Sequence, residues 1–216
     1  MDEYMNEQEQ WELVRTWVRQ NGLFVVAGVA LAAAGLWGWR AWQAHQEAAL
    51  LQASSQYEQL MSAFSKNDMP AVIGLADKLA ADHPRSGYAE HAQLAAARMQ
   101  VENNQLPAAL ARLQQVMGAT SDRELALILR LRIARLQIEQ RRADEALATL
   151  AAADPGAFAS RFAEVRGDAL LAKGDRAGAL KAYREAQSAA AQSAQPGAPA
   201  GGDDLLSLKI NELTRP

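Results

Sequence analysis

The 216-residue sequence predicts an all-α protein: one apolar N-terminal helix followed by a stack of short helical hairpins. Three observations carry this. Residues 22–39 form an 18-residue stretch with no charged side chain, in a chain that is 22% charged. From about residue 48 the chain is a series of amphipathic segments broken by polar turns. Alternating β-branched runs, the signature of strands, are almost absent.

The first element, residues 1–21, is a short amphipathic segment with Trp11, Val14, Trp17 and Val18 on one helical face. It holds five acids against Arg15 and Arg19, a balance of −3. From Arg40 onward the charges cancel, with 20 acids and 20 bases. The net charge of −3 carries no nucleic-acid footprint. Cysteine is absent, which excludes disulfides, thiol catalysis and thiolate zinc sites.

Residues 22–42 read as a transmembrane helix. Eighteen residues at 1.5 Å rise cover about 27 Å, close to a hydrocarbon core of about 30 Å. All five tryptophans of the chain flank this run: Trp11 and Trp17 before it, Trp37, Trp39 and Trp42 after it. Indole rings favour the headgroup zone, and the long stem of Arg40 lets its charge reach the same zone. These six residues are the expected interface anchors. A cleaved signal peptide is the alternative, with Ala32-Ala33-Ala34 as the cut site. The long acidic leader and the apolar residues beyond that site argue against it. A buried core helix is the third reading, and it leaves the tryptophan distribution without a cause. Arg15 and Arg19 outnumber Arg40, which favours a cytoplasmic N-terminus. Gly28, Ala32 and Gly35 share one helical face where a second membrane helix could pack closely; the competing reading is that an Ala-rich span shows small residues on every face.

Residues 43–188 form the repeat domain. Its clearest unit is VRGDALLAKGDRAGALKAYREA, residues 165–186. Gly167 and Leu170 lie on a first helix, Lys173-Gly174-Asp175 makes the turn, and Ala179 and Tyr183 line a second helix. Small residues at fixed places let paired helices approach, which is the tetratricopeptide pattern. The second helix recurs upstream as Ala146 with Leu150, as Ala109 with Leu113, and weakly as Val72 with Ala76. Small first-helix positions recur at Ala97, Ala134 and Gly167. The steps between copies are 37, 37 and 33 residues. Generic antiparallel helices with coincidental spacing are the competing reading. The segment Leu125–Ile138 is the most apolar outside the span, which places it mid-stack. Residues 40–65 contain no helix breaker, so the span is expected to run on into the first hairpin.

Residues 189–202, rich in Ala, Gly and Pro, read as a flexible linker. Residues 203–216 read as a C-terminal capping helix carrying Leu205, Leu206, Leu208, Ile210 and Leu213. An array needs its last apolar face covered; docking on a partner is the alternative.

No catalytic, cofactor-binding or metal-ligating set is found. His45, His83 and His91 fit no zinc spacing, and no phosphate-binding glycine loop or nucleophile elbow is present. Arg130, Arg132, Arg135, Arg141 and Arg142 form a basic run that reads as a solvated face or intra-repeat salt bridges. The protein is therefore expected to be no enzyme.

Taken together, the chain resembles the YfgM family of ancillary SecYEG translocon subunits. The resemblance rests on the acidic leader ending in Asn21-Gly22, the single span, and the exit Gly38-Trp39-Arg40-x-Trp42-x-x-His45-Gln46. It rests also on Leu171-x-Lys173-Gly174-Asp175 and on Lys209-Ile210-Asn211. The insert at 189–202 is a departure from it. The resemblance implies a bacterial inner-membrane protein, a cytoplasmic N-terminus and a periplasmic repeat domain. It implies the SecYEG translocon and the membrane-anchored periplasmic chaperone PpiD as partners, with unfolded clients and membrane lipid as further contacts. The implied role is help in handing over newly translocated proteins, without cofactor. A membrane-tethered regulator or assembly factor with other protein partners is the alternative.

Overall fold

The computed structural model describes residues 7–193 and 203–214. The described residues are helical apart from turns, and they divide into two compact units, one up to Gln52 and one from Ala53 onward.

The first unit is built from α1 (Glu7–Ser65), which begins at Glu7 and runs without a break through the apolar stretch. The amphipathic leader and the apolar stretch are thus parts of one helix. Asn21 and Gly22 do not interrupt it, and the Asn21 side-chain amide donates to the Trp17 carbonyl one turn back at 3.1 Å. An 18-residue window of α1 reaches a mean hydropathy of 1.8, and none of that window is buried. In water such a surface would be strongly unfavourable, at about 25 cal/mol per Å². This is a helix long and apolar enough to cross a membrane.

The second unit starts with the last turns of α1, from Ala53. It continues with α2 (Met69–Asp82), α3 (Gly87–Glu102), α4 (Leu106–Ala119), α5 (Arg123–Glu139), α6 (Ala143–Ala151), α7 (Ala159–Ala172), α8 (Arg176–Ser193) and α9 (Asp203–Thr214). A 3-10 turn, Gly156–Phe158, precedes α7. The end of α1 pairs with α2, α3 with α4, α5 with α6, and α7 with α8.

The repeat has a backbone signature as well as a side-chain one. Each hairpin turn contains one residue with left-handed φ: Asn67 (58°), Asn104 (57°), Arg141 (60°) and Gly174 (86°). Each lies five residues before Val72, Ala109, Ala146 or Ala179, so the turns repeat with the same steps of 37, 37 and 33. The hydrogen bonds repeat too. Asn104 N–H donates to Val101 O at 2.9 Å and Gln105 N–H to Gln100 O at 2.7 Å. Arg141 to Ile138 (2.9 Å) and Arg142 to Gln137 (2.8 Å) copy this, as do Gly174 to Leu171 (2.9 Å) and Asp175 to Leu170 (3.0 Å). Asn67 to Phe64 (3.0 Å) and Asp68 to Ala63 (3.1 Å) complete the set. A left-handed residue just past a helix lets these amides satisfy the last free carbonyls, and glycine or asparagine accepts that conformation most readily. Only Arg141 departs from that preference.

Four apolar clusters follow one another along the unit. The first joins Ala53, Leu60, Val72, Ala76, Leu79 and α3. Val72 and Ala76 are fully buried, so the copy weakest in sequence is as well packed as the rest. The second holds Ala97, Ala109, Leu113 and Leu129; the third holds Ala134, Ala146, Leu150 and Val165. The fourth joins Ala163, Ala179, Tyr183 and Ala186 to Leu206 of α9.

At its C-terminal end α8 extends to Ser193. Residues 189–193 are therefore helical, a correction to the linker boundary at 189. The physical reason is local: Ala189, Ala190, Ala191 and Gln192 are strong helix formers, and no Pro or Gly occurs before Pro196. Residues 194–202 lie outside the described residues. In α9, Leu206 is buried and Ile210 and Leu213 pack beside it, whereas Leu205 and Leu208 face outward.

Candidate functional site

The positions singled out in the sequence fall into three groups in the structure. The repeat positions Ala97, Ala109, Leu113, Ala134, Ala146, Leu150, Gly167, Ala179 and Tyr183 are all buried. Leu170 is half-buried, and Gly174 sits exposed in its turn. Gly167 and Tyr183 meet directly. A Cβ at 167 would stand 2.5 Å from Cδ1 and 3.0 Å from Cζ of the Tyr183 ring. The tryptophans Trp11, Trp17, Trp37, Trp39 and Trp42 are all more than half exposed, and Arg40 is exposed. The Trp39 and Trp42 rings lie 5.3 Å apart. Gly28, Ala32 and Gly35 are exposed, and a Cβ on either glycine would meet nothing within 4 Å.

Two polar clusters knit the repeats together. In the first, Arg112 of α4 donates to Asp77 of α2 at 2.6 Å, to Gln93 of α3, and to Gln100 at 3.3 Å. Gln93 donates to the Ala76 carbonyl at 2.9 Å. The Arg112 guanidinium holds the Asp77 carboxyl below its ordinary range. These groups line an open cleft of about 700 Å³, but they satisfy one another. The cluster is therefore a staple across three helices rather than a vacant recognition site.

In the second cluster, Lys209 of α9 donates to Glu164 at 3.1 Å and to Asp168 at 2.7 Å, both on α7. Its ammonium also lies 5.4 Å from the centre of the Tyr183 ring. The Tyr183 hydroxyl donates to Asp168 at 2.8 Å. Burial is the largest influence on Glu164 and pushes its pKa up, yet Lys209 and Arg161 outweigh it and leave the carboxyl lowered. Burial likewise pulls Lys209 down, and Asp168 and Glu164 together leave it raised. For Tyr183, burial and then the Asp168 bond both raise the phenol. This cluster ties α9 to the last hairpin.

The candidate recognition site is a third feature, a groove of about 270 Å³ between α3 and α5. Leu94, Arg98 and Val101 recur at helical spacing on α3, and Arg132 and Arg135 stand one turn apart on α5. Ala97, Leu113 and Leu136 form the floor. Arg98 is held by Glu102 at 2.8 Å and lies over the Phe64 ring at 5.4 Å. Arg132 and Arg135 are exposed, and among the described residues neither has a carboxylate partner. The basic run of the sequence is thus split by the structure. Arg142 pairs with Glu145, and Arg130 reaches the Thr149 carbonyl at 3.3 Å. Arg132 and Arg135 instead face the groove.

Sequence reasoning did not single out this groove, because its two walls are separated by a whole repeat. The only signal was that Arg132 and Arg135 share a face. Lys209 was visible only as part of a family motif, and its partners lie 41 and 45 residues upstream.

A family model described as a tetratricopeptide repeat-like domain matches residues 15–215. A protein of Escherichia coli (strain K12) named "Ancillary SecYEG translocon subunit" is 36% identical over 214 residues, covering 99% of this chain and all of that one. Proteins of the same name are 30% identical in Aggregatibacter actinomycetemcomitans and 28% identical in Haemophilus influenzae, each covering 97% of this chain and 98% of the relative. No solved structure matches the chain. With the repeat geometry, the exposed apolar helix and likeness from end to end, the chain belongs to the tetratricopeptide repeat-like family and, within it, to the YfgM family of proteins named ancillary SecYEG translocon subunits.

Proposed function

We propose that this protein is a non-catalytic, single-pass inner-membrane adaptor that associates with the SecYEG translocon. The observation that carries the reading is likeness over essentially the full chain to proteins bearing that name, in a molecule that joins an apolar exposed helix to helical-hairpin repeats, a fold suited to protein binding. Trp11, Trp17, Trp37, Trp39, Arg40 and Trp42 anchor the helix at the two interfaces. Arg15 and Arg19 hold the N-terminus in the cytoplasm, and the repeat unit works in the periplasm. There it binds a membrane-anchored chaperone of the PpiD kind and assists the transfer of newly translocated proteins.

Affinity purification of the full chain from native membranes in mild detergent tests this. SecYEG subunits and a membrane-anchored periplasmic chaperone are expected in the eluate, in fixed proportion. An eluate holding neither would refute the adaptor role. Orientation is read separately with alkaline phosphatase fused after Pro216. Activity is expected, and an inactive fusion would put the repeats in the cytosol and favour a tethered regulator.

The Gly28, Ala32 and Gly35 face is proposed as a lateral contact with another membrane helix. Both glycines have open space where a side chain would go, so leucine there would hold a neighbouring helix away. Replacing Gly28 and Gly35 together by leucine is expected to weaken intramembrane co-purification severalfold. Undiminished recovery would remove this face from the interface.

A further inference from the structure

We propose that the α3–α5 groove binds an acidic amphipathic segment of a partner protein, with aliphatic side chains on the floor and carboxylates against Arg132 and Arg135. This deepens the adaptor reading by naming the chemistry of what the repeats recognise. The floor of Ala97, Leu113 and Leu136 is apolar, which calls for apolar side chains rather than a bare anion.

The rim decides the sign of the charge. Every charged side chain lining the groove is a guanidinium. Arg98 already has Glu102, and its stacking on Phe64 holds it at the edge. Arg132 and Arg135 have no carboxylate partner among the described residues. Glu139 lies one turn beyond Arg135, and among the described residues it forms no ion pair with it. Two adjacent planar forks match carboxylates in geometry as well as charge. The overall charge of −3 makes this local excess of positive charge a property of the groove and not of the whole surface.

The test uses the full chain in phosphatidylcholine nanodiscs and two short fluorescein-labelled peptides, read by anisotropy. One peptide alternates Glu with Leu, and the other has Lys in place of each Glu. Saturable binding of the acidic peptide is expected, about tenfold tighter than that of the basic one and weakened by salt. The double variant Arg132→Glu, Arg135→Glu is expected to reverse the preference. A control, Arg184→Glu on the exposed side of α8, is expected to keep it. Both groove arginines are exposed, so their replacement leaves the core intact.

Equal binding of the two peptides, or a preference unchanged by the double variant, would overturn the proposal. So would self-association of the chain that the double variant abolishes, because the occupant would then be a second copy. The outcome separates from that of the adaptor reading. Charge selectivity without translocon co-purification leaves the groove standing and removes the role; co-purification without selectivity does the reverse.

Discussion

Replacing Gly167 by alanine is expected to destabilise the last hairpin by about 2 kcal/mol, and by leucine to prevent its native packing. The sign is not obvious, because alanine in a helix interior is favoured over glycine by about 1 kcal/mol. Space decides it. The added Cβ would stand 2.5 Å from a carbon of the Tyr183 ring, far inside van der Waals contact. The ring is fully buried, and its hydroxyl is tied to Asp168 at 2.8 Å, so it cannot swing aside without losing that bond. Overpacking of this kind costs roughly 1–3 kcal/mol, with the hydrogen bond adding about 1 more. The complementary change, Tyr183→Ala, leaves a large cavity and costs about 4 kcal/mol. Hydrogen exchange of α7 and α8 amides in the full chain reads both. The double variant Gly167→Ala, Tyr183→Leu is expected to recover much of the loss of the first. Undiminished protection in Gly167→Ala would show that the hairpin tolerates a wider separation.

Replacing Lys209 by methionine is expected to release α9 from α7 and α8. Methionine keeps the apolar stem but leaves Glu164 and Asp168 facing each other without their shared cation. Breaking a buried pair costs about 3–5 kcal/mol. Here the side chains of Glu164, Asp168 and Lys209 are 11%, 28% and 27% exposed, and Arg161 still reaches Glu164 at 3.3 Å. About 2 kcal/mol is therefore the expected loss after screening.

The same cluster sets a pH window. Glu164 has a lowered pKa, so its contribution is complete above its ordinary value of 4.5 and disappears as pH falls below it. Lys209 has a raised pKa, so its contribution is complete below its ordinary value of 10.5 and disappears as pH rises beyond it. Between these limits the attachment of α9 should not vary. Exchange protection of α9 is expected to be flat through neutral pH and to fall in acid, and Lys209→Met should flatten that acid transition. An acid transition of the same size in Lys209→Met would assign it to other carboxylates, Asp77 among them.

These two predictions rest on different kinds of information. The importance of Gly167 and Tyr183 was visible in one unit of 22 residues, because helix pairing needs a small residue where two axes come close, and the same demand recurs at Ala97 with Ala109 and at Ala134 with Ala146. The apolar helix was equally legible. Absence of charge over a membrane's thickness and clustering of every tryptophan are properties of consecutive residues. The last hairpin turn was legible too, where Gly174 meets the need for a left-handed backbone. Arg141 hid the third turn's geometry, since an arginine carries no sign of that conformation.

Lys209, Arg112 and the α3–α5 groove could not be reached in the same way. Their partners lie on other helices, Asp77 35 residues before Arg112 and Glu164 45 residues before Lys209, and the face that each charged side chain meets depends on how the helices stack. Local periodicity specifies which residues turn inward within a helix, because that depends on 3.6 residues per turn alone. Which inward or outward residues of separate helices then share a groove, a salt bridge or a vacant guanidinium is decided by tertiary packing, where the energies of burial and charge pairing are balanced between distant parts of the chain.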